Sequence, residues 1–215
     1  AGPGTVRREV PFLRICELLG GHPFISMSHA QWTSFATDGN DVPARIGRTN
    51  ARNWHEAGAI VTTYAAPFSG PENPEPWRRK GIRLYQANFD GCNEYNWYEG
   101  GHIWNDFAFQ SRYKPFNMVY PTADGVIDTV AWEALRESFD DVRYLTLLRR
   151  LARVALRSGK RDLGRLGKAA IAWAELIDPD AVNFADLRAN AARWILDLQR
   201  GLAEASVTIP PTVYE

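Results

Sequence analysis

The chain has little of what redox, metal or disulfide chemistry requires. Two cysteines, Cys16 and Cys92, among 215 residues are too few to define a disulfide framework, and both read as free thiols. His29, His55 and His102 are scattered. Only His55-Glu56 offers even half of a zinc helix of the H-E-x-x-H kind, so no metal site is expected. An excess of one charge is also missing: Lys plus Arg and Asp plus Glu number 25 each, which gives no global bias towards nucleic acid or an acidic membrane. No apolar run approaches the ~20 residues of a membrane span. The opening AGPGTVRREV has neither an initiator Met nor the apolar core of a signal peptide, as expected of a trimmed start, and a secreted or periplasmic setting stays open. There is no G-x-S-x-G elbow, no phosphate-cradling glycine loop and no dinucleotide fingerprint.

What is present is globular: 45% hydrophobic and 23% charged residues supply one sizeable core. Four runs read as strands, His22–Ser28, Ala59–Ala66, Ile82–Phe89 and Phe116–Tyr120, with helical patterns between them. Three are entered through glycine. Leu18-Leu19-Gly20-Gly21, Glu56-Ala57-Gly58 and Arg79-Lys80-Gly81 each place Gly where a helix end wants a left-handed residue. The repeated unit predicts a parallel sheet in an α/β fold. Helices are expected over Val6–Leu19, Asp41–Ala57, Trp77–Lys80, Ile127–Ala155, Arg161–Ile177 and Phe184–Ala205, the last capped by Asn183 with Asp186 three residues on. The long helix would turn Ile127, Val130, Leu135, Val142, Leu145, Leu148, Leu151 and Ala155 inward. These elements give a strand–helix region over 1–158, a helical extension over 159–206 and an extended tail over 207–215.

The segment DGCNEYNWYEGGHIWND, Asp90 to Asp106, is the leading binding-site candidate. Sugars present flat C–H faces and rings of hydroxyls, so their sites combine aromatic plates with short bidentate polar groups. Tyr95, Trp97, Tyr98 and Trp104 offer plates; Asp90, Asn93 and Glu94 offer hydrogen bonds. Tyr64, near the end of AIVTTYAA, is placed to face the same mouth, although core packing is an equal reading for a strand tyrosine. The neighbouring acids Asp140 and Asp141 invite an acid/base reading, but successive helical residues point about 100° apart. Local pairing, as of Arg136 with Asp140, is the expected role. Between Arg143 and Lys168 stand nine basic residues against one acid, Asp162. That face suits solvent or an anionic partner; without interleaved aromatics, nucleic acid is the weaker one and is not expected.

The series NWHEAGAIVTTYAAPFSGPENPEPWRRKGIRLYQANFDG, then YNWY, WNDF and VYPTADGVIDTVAWEALRESFDDVRYLTLL, resembles the C-terminal part of glycoside hydrolase family 123, over about Gly21 to Leu156. The resemblance implies the C-terminal half of a (β/α)8 barrel acting on β-linked N-acetylgalactosamine with participation of the substrate's acetamido group. It implies no metal or cofactor. The family's catalytic Asp-Glu pair lies at the fourth barrel strand, ahead of every matched segment, so no residue here inherits that role. Tyr64, Asp90, Tyr95 and Trp97 would form the sugar-pocket wall. The expected partners are a carbohydrate and the remaining half of the barrel, or another chain; the alternative is a non-catalytic carbohydrate-binding or assembly module.

Overall fold

The computed structural model describes residues 3–21, 51–52, 55–56, 60–63, 74–92 and 118–211. They form a mixed α/β structure dominated by helix, in two compact units, Ala1–Ala134 and Leu135–Glu215. The expected boundary after residue 158 falls inside the second unit.

In the first unit, helix α1 (Pro3–Leu18) ends as the glycines predict. Gly20 takes φ 77°, its N–H reaches Glu17 O at 2.9 Å, and Gly21 N–H reaches Cys16 O at 2.9 Å, the paired bonds of a Schellman motif. Strand β1 (Thr62–Thr63) and strand β2 (Gly91–Cys92) pair in parallel, Thr62 opposite Gly91 and Thr63 opposite Cys92. Helix α2 (Glu75–Ala87) connects them, so β1, α2 and β2 form a strand–helix–strand crossover.

Helix α2 corrects one expectation. Ile82–Phe89 was expected to be a strand and Gly81 a helix end; instead Gly81 lies inside the helix and Ile82 to Ala87 complete it. The alternation in IRLYQANF is short, and the same residues also satisfy helical spacing: Trp77, Gly81, Leu84 and Tyr85 are all buried on one side. The true terminator is Asn88, at φ 61°, with Asn88 N–H to Tyr85 O at 3.1 Å and Phe89 N–H to Leu84 O at 3.0 Å. Trp77, 1% exposed, packs beneath Lys80, whose Nζ lies 5.4 Å from the ring centroid. Its indole N–H is buried with no hydrogen-bond partner among the described residues.

Strand β3 (Val119–Pro121) and strand β4 (Val126–Asp128) form an antiparallel hairpin. The fourth expected strand, Phe116–Tyr120, therefore has an antiparallel partner rather than the parallel one a barrel would give it. Asp124-Gly125 supplies the turn chemistry, and Thr122 N–H closes the turn on Gly125 O at 2.8 Å. Ile127 belongs to β4 and Val130 opens the next helix, and both are half exposed or more instead of facing a core. Thr129 explains the shift. Its Oγ accepts from Trp132 N–H at 3.1 Å and donates to Met118 O at 2.9 Å, so it caps helix α3 (Val130–Arg157) and ties its start to the hairpin.

The second unit holds the rest of α3 with helix α4 (Arg161–Glu175) and helix α5 (Phe184–Glu204). Their buried positions recur at three and four residues: Leu145, Leu148, Ala152 and Ala155 on α3; Leu163, Gly167, Ala170 and Ala174 on α4; Leu187, Ala191, Ile195, Leu198 and Leu202 on α5. Small residues set the spacing. A Cβ on Gly167 would stand 2.6 Å from Ala152 O, and one on Gly201 would stand 2.7 Å from Leu163 Cδ2. Asn183 caps α5 as expected, accepting from Ala185 and Asp186 N–H at 3.0 and 3.2 Å. Beyond α5 the chain leaves the helix, and Arg150 donates to Pro210 O.

Candidate functional site

Of the proposed sugar-contacting residues, Asp90 is described; Tyr64, Asn93, Glu94, Tyr95 and Trp97 lie outside the described residues. Asp90 immediately precedes β2, at the amino-terminal end of the parallel pair. It faces the residue that precedes β1. Val61 N–H donates to Asp90 Oδ2 at 2.6 Å, and Asp90 N–H donates to Val61 O at 2.8 Å. His55 Nε2 lies 2.9 Å from the same carboxylate oxygen, and Asn88 Nδ2 lies 3.2 Å from His55 Nδ1. With the Asn88 amide as donor, Nδ1 accepts and Nε2 carries the proton directed at Asp90.

This cluster resembles part of a catalytic triad in composition but not in arrangement. Both ring nitrogens of His55 are engaged, so neither is left to move a substrate proton, and no nucleophile is bonded to it among the described residues. The carboxylate joins the start of β1, the start of β2 and the helical turn holding His55. In parallel α/β folds the chemistry gathers at the opposite, carboxyl ends of the strands. Asp90 therefore ties the two strand starts together at the amino-terminal end of the pair, where the expected strand Ile82–Phe89 would have set it at a carboxyl end.

The second group of acids lies in the second unit. Asp141 is fully buried and accepts from Arg188 Nε at 2.6 Å; Arg188 Nη2 reaches Glu137 O at 3.1 Å and the Glu137 carboxylate at 3.4 Å. Burial pushes the Arg188 guanidinium down, but the Asp141 hydrogen bond and the charges of Asp141, Glu137 and Asp140 outweigh it, leaving the pKa above its ordinary value. Asp140 points elsewhere, to Arg136 at 3.2 Å and Arg143 at 2.8 Å. The two neighbouring acids thus serve separate ion pairs, as the helical geometry predicts. What sequence could not give is Arg188, 47 residues from Asp141.

A cleft of about 300 Å³ opens between the end of α4 and the start of α5. Trp173, Ile177 and Val182 line it with Asp178, Asp186 and Asn190. Its size is at the lower limit of small-molecule sites, and it brings one indole together with carboxylates and an amide. No signal in the sequence reading had pointed there. Among the described residues no group of His, Cys, Asp or Glu is arranged to hold a metal ion, and both cysteines are free. Among the described residues no helix is long and apolar enough to cross a membrane. Set against known proteins, the chain matches no protein-family model, no curated protein and no solved structure.

Proposed function

We propose that this chain is the glycan-binding part of a glycoside-hydrolase-like α/β barrel, with the sugar contacted by Tyr64, Asn93, Glu94, Tyr95 and Trp97. One observation carries the reading. The parallel β1–α2–β2 crossover is the repeating unit of such barrels, and the chain runs on from the carboxyl end of β1 into Tyr64 and from the carboxyl end of β2 into Asn93–Trp97. These are the positions at which barrel folds collect substrate-binding side chains. The acid and base of hydrolysis would come from strands outside the matched segments. Asp90, Asp140 and Asp141 each have a structural partner, and hydrolysis needs a carboxyl pair held at the sugar.

That same engagement of the acids favours a second reading, a carbohydrate-binding or assembly module that does no chemistry. Titration calorimetry with N-acetylgalactosamine-terminated oligosaccharides tests what both share. Trp97→Ala should weaken binding by about 1–3 kcal/mol with a smaller change in stability, since a surface plate is buried only under ligand. Binding equal to wild type with a large loss of stability would move Trp97 to the core and remove the reading. Turnover of an aryl β-N-acetylgalactosaminide separates the two. The 215-residue chain alone should show none, and turnover abolished by Asp90→Asn at an unchanged melting point would place the chemistry here.

A further inference from the structure

The turn between α3 and α4 carries positive charge that the described residues do not neutralise. Arg153 and Arg157 stand one helical turn apart near the end of α3, Lys160 precedes α4, and Arg161, Arg165 and Lys168 follow at helical spacing along it. All six are exposed. Arg165 faces Asp162 at 3.6 Å; Arg153, Arg157, Lys160, Arg161 and Lys168 form no ion pair among the described residues. Elsewhere on α3 the pattern is the opposite, with Arg136 and Arg143 sharing Asp140. Among the described residues, Asp162 is the one acid that pairs with this group of cations.

The placement also works against the helices. Lys160 occupies the N-cap of α4 without a side-chain cap, and Arg161 adds a second cation at the positive end of the helix dipole, where acids are favoured. Arg153 and Arg157, and Arg161 and Arg165, are like charges four apart, which repel. Asp162 in the first turn, paired with Arg165, offsets part of this; the remaining cations, with no ion pair among the described residues, point to a surface kept for something other than folding.

We propose that this face docks an acidic polysaccharide, a chain of sugars bearing carboxylate or sulfate groups. Guanidinium forks match such groups bidentately, and a polyanion gains further by releasing its counterions. Other polyanions lack a second ingredient on this surface. Residues 149–168 contain no aromatic side chain on which bases would stack, and Leu156 is the single exposed large apolar residue there, too little to enter a bilayer. The choice of polysaccharide over duplex nucleic acid rests on the glycan reading above.

The test uses the full chain with a heparin oligosaccharide, a DNA duplex of similar charge and phosphatidylserine vesicles as probes. Heparin should bind most tightly, with affinity falling about ten- to hundredfold between roughly 50 and 200 mM salt. Joint substitution Arg153→Glu, Arg157→Glu and Arg161→Glu should weaken it at least about tenfold, and the same positions changed to Gln should weaken it less. Circular dichroism checks the fold of each variant, and the Gln set stands in where the Glu set does not fold. Heparin binding that ignores both sets or ignores salt overturns the proposal; tighter binding to duplex or vesicles overturns the polysaccharide assignment. Trp97→Ala separates the two readings. It should leave heparin binding intact, so loss of the neutral-sugar site and loss of the basic face register as different results.

Discussion

Removing Arg188 should destabilise the chain far more than removing an ordinary surface arginine. Its partner Asp141 has no exposed surface, and a buried carboxylate that loses its counter-charge typically costs 3–5 kcal/mol. The Arg188 side chain is itself 34% exposed, so water can partly replace it and the expected loss is nearer about 2–3 kcal/mol. Arg188→Met keeps the apolar stem while deleting the charge. In urea unfolding followed by helical circular dichroism, the loss should lower the midpoint by about 1–2 M, given slopes of roughly 1–3 kcal/mol/M. Asp141→Leu combined with Arg188→Met should recover most of it, because no buried charge is left unpaired. The pH dependence follows from the sign of the shift. A group whose folded pKa is raised contributes fully below its unfolded value and loses that contribution only as pH rises through the folded one, which for Arg188 lies beyond ordinary assay conditions. Its contribution should therefore stay flat from about pH 7 to 10. A cost of Arg188→Met below about 1 kcal/mol, or a double variant whose loss equals the sum of the two singles, would refute the buried-pair account.

Three glycines of the second unit should separate in an alanine series read by thermal melting. Gly164→Ala meets nothing within 4 Å and should gain up to about 1 kcal/mol of helix propensity; Gly167→Ala drives a Cβ onto the Ala152 carbonyl and should lose more than that; Gly201→Ala meets the movable side-chain ends of Leu163 and Leu166 and should fall between them. Trp77→Ala should cost about 3–5 kcal/mol by opening a cavity, whereas Trp77→Phe should cost much less, since the indole N–H it deletes has no partner among the described residues. Denaturant midpoints decide, and equal losses would mean that the indole N–H is bonded in solution.

The helix ends show how much of this structure the sequence made legible. Gly20 ends α1 as read, because glycine is the residue for which a positive φ is free, whereas Asn88 at φ 61° and Ser206 at φ 55° do the same work with less distinctive side chains. Missing Asn88 started a strand nine residues too early, at Ile82 within α2 rather than at Gly91, and so set Asp90 at the carboxyl-terminal rather than the amino-terminal end of a strand. The three-helix unit was easier. Its apolar residues repeat at three and four over α3, α4 and α5, and a pattern sustained for several turns outweighs any single boundary. Tertiary partners stayed out of reach: nothing local to Asp141 announces Arg188, and nothing near His55 announces Asp90 and Asn88, 35 and 33 residues on. Period and turn chemistry give β1 and the start of α2 but neither the extent of α2 nor the place of β2, and what holds Asp90 is seen only in its distances to Val61 and His55. The proposed glycan site would draw on the rings and amides of the segments that follow β1 and β2, and Asp90→Asn should impair folding before it impairs binding. Comparing melting point with oligosaccharide affinity in that variant checks the order; weakened binding at an unchanged melting point would return Asp90 to the sugar.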